Sequence, residues 1–288
     1  MKLKYGSMGP ATLLGLPLLW ALFSIVIPLG VLLAHSFFKV SYPIFKPAFV
    51  FDSYATIASD PQYLQVIART AKISVLTAIS TLIVTFPLVY FLVFTVRSKA
   101  VRSLLYFMII LPLWVSYLLR AYVWKTILGQ EGVLNSVLMY MGITDKPSGL
   151  FLYNQIAMVI TLTYIFIPFM AMPIYAALER IPMRLIEAAM DLGMTPLQTF
   201  WNVTLPLAMP GVVAGVIFTV CLTSGDFVAA NLVGGPSGAM VASTIQTQFG
   251  ASLNWPLGSA LSVIMFVAVT VLVAISERFN ARDRINLS

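Results

Sequence analysis

The sequence predicts an all-α polytopic membrane protein with six transmembrane helices and a polar loop between helices 4 and 5. Three observations carry that prediction. Of 288 residues, 60% are hydrophobic and 9% charged, where soluble domains carry roughly 25% charged residues. Apolar stretches of about 20 residues or more, the length needed to cross a bilayer, recur along the chain. Late in the sequence a polar island of about 20 residues, Glu187 to Pro206, interrupts two of them. Residues 1–288 read as one membrane domain with no separate soluble domain.

Met1 to Pro10 is a short tail with Lys2 and Lys4, and Ala11 to His35 is helix 1. This run is too long for a signal peptide, and no clear A-x-A cleavage site follows it. Ser36 to Thr70 is a mixed loop whose end, Pro61 to Thr70, reads as an interfacial helix. Ala71 to Val96 is helix 2, and Arg97, Lys99 and Arg102 mark a short basic loop. Leu104 to Trp124 is helix 3, with Pro112 inside and Arg120 near its far end. A second loop, Lys125 to Asn154, contains Gly129, Gly132, Asn135 and Gly142. Gln155 to Leu178 is helix 4, Glu179 to Met209 the polar loop, and Pro210 to Gly235 helix 5. Pro236 to Leu257 is the third loop, Gly258 to Ser276 is helix 6, and Glu277 to Ser288 is a charged tail. Pro112, Pro168 and Pro173 are expected to kink their helices.

Six spans put both termini on one side. That side carries ten Lys and Arg, against six for the opposite loops (Lys39, Lys46, Arg69, Lys72, Lys125 and Lys146). The positive-inside rule therefore makes the termini and the polar loop cytoplasmic. The same rule accounts for the net charge of +7 without a nucleic-acid partner.

The polar loop reads as two short helices with a bend. Leu185, Ile186, Ala189, Leu192 and Met194 supply apolar positions, and Glu187 and Asp191 fall at i,i+4 on a polar face. Gly193 supplies the positive φ that ends the first helix. Thr195 is an N-cap, Pro196 suits the first helical position, and Gln198 completes a capping box. Ala188 and Ala189 leave room for another protein to pack closely. From the residues alone, an ordinary helical loop between two spans is as good a reading.

No G-x-x-x-x-G-K-[ST] phosphate loop and no H-E-x-x-H occur, so no nucleotide, metal or other cofactor is expected in this chain, and no enzymatic activity. His35, the single histidine, reads as an interfacial residue at a helix end. One cysteine, Cys221 in an apolar stretch, excludes an intramolecular disulfide framework. The informative polar residue is Asp226, within helix 5. A carboxylate facing lipid costs several kcal/mol, so it must face the bundle interior or a water-filled path. Two readings stay open: it attracts a cationic substrate, or it is tied to Arg120, a backbone amide or a partner subunit. Ser224 and Gly225 permit close approach beside it. Trp114 and Tyr117 on helix 3 lie deep enough to line a path, where aromatic faces stabilise an alkylammonium by roughly 0.5–2 kcal/mol each. Arg120, near the helix end, is expected to snorkel to the interface. Gly211 and Gly215 form a G-x-x-x-G pair suited to tight helix packing, within the chain or with a second subunit.

Glu187-Ala188-Ala189, Gly193 and Leu205-Pro206 stand at the spacing E-A-A-x3-G-x9-hydrophobic-x-L-P. This resembles the EAA loop of ABC-importer permeases. The resemblance implies that residues of about 179–209 form a coupling loop, and that Glu187, Ala188, Ala189, Asp191 and Gly193 meet an ATP-binding subunit. Further pieces are Ile109-Ile110-Leu111-Pro112-Leu113-Trp114, Gly129-x-x-Gly132-x-x-Asn135, Ile167 to Pro173, Gly225-Asp226-Phe227-Val228, Leu232 to Pro236 and Asn254-Trp255-Pro256-Leu257-Gly258. With these the whole chain looks like the spermidine/putrescine subgroup, B/H-type subunit. That resemblance implies a bacterial inner-membrane importer, built with a second, different permease, a dimer of ATP-binding subunits that hold ATP and Mg, and a periplasmic binding protein. Related importers of opines, other amines, phosphonates or iron share the scaffold. An ion-coupled secondary transporter would need intramembrane charges and an inverted repeat, and neither stands out.

Overall fold

The computed structural model describes residues 10–41, 44–46 and 48–285. The described residues fall into two compact units, one holding those up to Pro61 with Ile245–Val267, the other holding Gln62–Thr244 with the chain from Ala268.

In the first unit, α1 (Pro10–His35) is a 26-residue helix whose apolar side chains from Leu18 to Leu33 are mostly exposed, as a lipid-facing helix requires. Its end is fixed by Ser36. The Ser36 hydroxyl donates to the Leu33 carbonyl (2.6 Å) and accepts from Tyr54 (2.9 Å) on α2 (Asp52–Ser59). A short antiparallel pair, β1 (Lys39–Ser41) and β2 (Ile44–Lys46), lies between, with Val40 opposite Phe45.

The second unit is built on α3 (Pro61–Phe94), α7 (Gln155–Glu179) and α10 (Leu205–Ser224). The glycines at 211 and 215 are what bring α10 against α7. A Cβ at Gly211 would stand 2.5 Å from the Ala177 Cβ and the Pro173 carbonyl, and one at Gly215 would stand 2.7 Å from the Met170 sulfur. The G-x-x-x-G pair therefore packs within the chain. One apolar cluster gathers Ile73, Leu128, Met158, Leu162 and Ile165, and a second gathers Val89, Met170, Ile174, Leu178 and Ala208. Along α3, Thr70, Ser74, Thr77, Thr81 and Thr85 are all buried and form a row of hydroxyls at helical spacing.

Among the described residues, five helical stretches are long and apolar enough to span: Pro17–His35, Pro61–Phe94, Gln155–Glu179, Pro196–Ser224 and Trp255–Ser276. The last lies in α12 (Trp255–Ile285), which follows α11 (Val241–Phe249) in the chain. The sixth is a bent pair. α4 (Lys99–Ile110) passes through a 3-10 turn, Leu111–Trp114, into α5 (Tyr117–Leu128) and α6 (Val133–Tyr140), with a bend of 94°.

Three expectations change. Helix 3, expected as one span kinked at Pro112, is broken there into two helices. Pro112 has no amide to continue the α4 ladder, so the chain tightens and Val115 and Ser116 turn extended before α5 begins. The expected interfacial helix at Pro61–Thr70 is instead the first part of a 34-residue α3. Helix 5 starts earlier and ends sooner than expected. Pro206 sits in the first turn of α10, where a missing amide is harmless. At the other end the helix stops at Ser224, and a π-helical turn, Ala230–Gly234, follows the break.

Candidate functional site

The polar loop carries α8 (Met183–Asp191) and α9 (Pro196–Thr199). α8 ends in a Schellman motif. The Gly193 amide donates to Met190 (2.9 Å), the Met194 amide donates to Ala189 (3.2 Å), and Gly193 stands at φ +85°. The next helix opens two residues later with the capping box. The Gln198 backbone amide donates to the Thr195 hydroxyl (3.3 Å) and the Thr195 backbone amide donates to the Gln198 side-chain oxygen Oε1 (2.9 Å), with Pro196 in the first turn. A π-helical turn, Phe200–Thr204, then leads directly into α10.

Glu187, Ala188, Asp191 and Gly193 are exposed. Ala189 is buried, so its small side chain serves packing within this chain, and Ala188 is the alanine left open to a second protein. Leu192 (83% exposed), Leu197 and Trp201 add apolar surface beside the acidic pair.

Asp226 stands at the break after α10, not inside a helix, and is only 7% exposed. Its Oδ1 accepts from the Ala229 amide at 2.7 Å, and its Oδ2 accepts from the Tyr117 hydroxyl. Broken backbone at membrane depth is tolerated where it is buried in protein, and here the carboxylate supplies the partner for the freed amide. Arg120, 7% exposed, lies one turn along α5 with its guanidinium carbon 5.6 Å from the Tyr117 ring centre. Its Nη1 donates to the Ile165 carbonyl at 3.3 Å. Arg120 is therefore a buried residue and does not snorkel, and its partners are Tyr117 and Ile165 rather than Asp226.

Ser224 pairs with Ser74 of α3 (3.0 Å) and donates to the Val220 carbonyl (2.8 Å). Among the described residues, Trp114 has no polar partner in common with Tyr117, Asp226 or Ser224 and is placed by the turn after α4. It sits on the turn that breaks the span, is 79% exposed, and meets Phe107 edge-on. The sequence reading passed over Ser74. The signal for it was the spacing of hydroxyls from Thr70 to Thr85, one per turn of a membrane helix, which marks an inward face.

Membrane helices broken by proline and by a buried carboxylate, with a capped helical loop at the end of two spans, are built for moving a solute rather than for anchoring a soluble domain. The protein is a transport permease by architecture. It belongs to the family of binding-protein-dependent transport system inner membrane components, whose model matches residues 72–284.

The chain is 36% identical over 267 residues to a spermidine/putrescine transport system permease protein PotB from Haemophilus influenzae, covering 91% of this chain and 90% of that one. It is 31% identical over 260 residues to PotB from Escherichia coli, covering 90% and 93%. Among solved structures it resembles a chain of a bacterial ABC transporter that imports the acidic polysaccharide alginate, with TM-score 0.78 and 20% identity over 94% of each chain. It is accordingly a multi-pass inner-membrane permease subunit, and not an enzyme.

Proposed function

We propose that this chain is one transmembrane subunit of an ATP-driven importer that brings a polyamine of the spermidine/putrescine type into the cytoplasm. The observation that carries the substrate is its match to polyamine permeases over about nine-tenths of both chains. Residues 1–288 act as a single permease domain with both termini cytoplasmic. A second, different permease completes the translocation path, and a periplasmic binding protein delivers the solute. Two ATP-binding subunits hold ATP and Mg. The permease has two access states whose balance these partners shift.

The coupling loop is the contact with the ATPase. Supporting this are its exposed Glu187, Ala188 and Asp191, the apolar surface of Leu192 and Leu197, and an unbroken run from α9 through the π turn into α10. A push on the loop is delivered at the base of a spanning helix. Gly193 supplies the turn that sets the two short helices.

Asp226, Tyr117, Ser224 and Trp114 are proposed as path residues. An arriving ammonium would take the place of the Tyr117 hydroxyl on Asp226, and the tyrosine ring would remain as a cation–π wall.

The test is ATPase activity of the assembled transporter in nanodiscs with its binding protein, titrated with spermidine, putrescine and non-amine solutes. Stimulation by a polyamine alone is expected. Stimulation by another solute retains the importer and removes the polyamine, and failure of any ATPase subunit to co-assemble removes the coupling-loop role.

A further inference from the structure

The geometry points to a binding site for the phosphodiester of an anionic phospholipid, between the start of α4 and the end of α7. A cavity of about 310 Å³ there is lined by Lys99, Arg102, Ser103, Tyr106, Tyr175 and Glu179. Both cations lie in the first turn or so of α4, where the helix dipole is already positive. Such a placement is unfavourable unless an anion completes it.

Neither cation is held in an ion pair among the described residues. Lys99 makes no ion pair or side-chain hydrogen bond among the described residues. Arg102 donates from Nη2 to the Val96 carbonyl (2.9 Å), while its Nε is buried without a partner. The carboxylate in the wall keeps its negative charge and is held in place by the Tyr175 hydroxyl, which donates to Glu179 at 3.1 Å. The Tyr175 ring in turn stacks on Tyr106, centres 4.1 Å apart. This arrangement holds Glu179 and both rings in place and leaves the guanidinium and ammonium facing the cavity.

The charge balance selects the ligand. Lys99, Arg102 and Glu179 together leave one positive charge. That matches a phosphodiester, which carries one negative charge, better than inorganic phosphate or a phosphate monoester, which carries up to two. The cavity lies at the ends of two spans, where headgroups sit, and tyrosine suits that interface. Basic pockets between membrane helices are a recurring setting for anionic lipid headgroups.

The experiment is native mass spectrometry of the assembled, delipidated transporter titrated with phosphatidylglycerol, with phosphatidylcholine as control and inorganic phosphate as competitor. Phosphatidylglycerol is expected to be retained over phosphatidylcholine and to resist millimolar phosphate. Lys99→Gln touches no internal bond and should weaken retention about fivefold, the equivalent of about 1 kcal/mol per basic residue. Arg102→Gln should weaken it at least as much, while Glu179→Gln should not weaken it. Equal retention of both lipids, or no change in Lys99→Gln and Arg102→Gln, overturns the site. Displacement by inorganic phosphate shows a free-anion site instead. Absence of lipid from an assembled transporter shows that a partner subunit covers the cavity, which also overturns the proposal.

Discussion

Asp226 offers a clean separation of charge from fold. In Asp226→Asn the side-chain oxygen still accepts from the Ala229 amide, and the Tyr117 hydroxyl can donate to it or accept from its NH2. The break after α10 should hold and the complex should assemble, while uptake of a cationic solute falls by tenfold or more in whole-cell transport assays. Normal uptake would leave Asp226 a purely structural residue. Gly211 tests packing in the same way. A methyl there meets the Ala177 Cβ and the Pro173 carbonyl at 2.5 Å, and the latter is backbone that cannot swing aside. Gly211→Ala should destabilise by about 1–3 kcal/mol. Gly30→Ala, with nothing within 4 Å of the added carbon, should be neutral or slightly stabilising. Thermal unfolding of the purified complex distinguishes the two, and equal melting temperatures would refute the close α7–α10 contact.

At the scale of the element, the proposed coupling loop depends on two local devices, and each predicts a different defect. Thr195→Ala removes one half of the capping box and should cost about 1 kcal/mol locally without blocking transport. Gly193→Asp puts a side chain at φ +85°, where the strain is about 1–2 kcal/mol, and adds a third negative charge near Glu187 and Asp191. Hydrolysis should then continue while solute uptake fails, read as moles of ATP hydrolysed per solute moved; an unchanged ratio would end the coupling role of Gly193. Elements of this kind were legible in the sequence because caps are decided within four or five residues. Gly193, Thr195, Pro196 and Gln198 each have one suitable position, and the structure has them there. The 94° break of the third span was not legible, because Pro112 shows that the amide ladder fails and not how the chain resumes. Arg120 misled for a related reason. Its distance from a helix end suggests a route to water, but its burial is set by α7, which packs on α5 and whose Ile165 carbonyl receives it. The link between Ser74 and Ser224 spans 150 residues of sequence and only packing brings it about.

For the whole molecule, the proposed sidedness rests on charge: ten basic residues against six, with Arg97, Lys99 and Arg102 in one short loop. The same assignment places α8 where an ATPase can reach it, so one measurement checks both. The chain has a single cysteine, Cys221, and Cys221→Ala gives a background in which added thiols report alone. Glu187→Cys marks the exposed face of α8. Tyr140→Cys marks α6, where the native side chain is 95% exposed. A membrane-impermeant maleimide applied to intact spheroplasts should label Tyr140→Cys and spare Glu187→Cys until the membrane is opened. Adding the ATP-binding subunits to opened membranes should then protect Glu187→Cys and leave Tyr140→Cys reactive. Labelling in the reverse order would put the capped loop outside the cell. The family membership would stand, but the loop could not be the site through which ATP hydrolysis moves the helices, and the basic residues at 97–102 would have to be held there by something other than the membrane's charge rule. Correct sidedness without protection would be equally specific: it would leave the loop in the cytoplasm and move the ATPase contact to another part of that face.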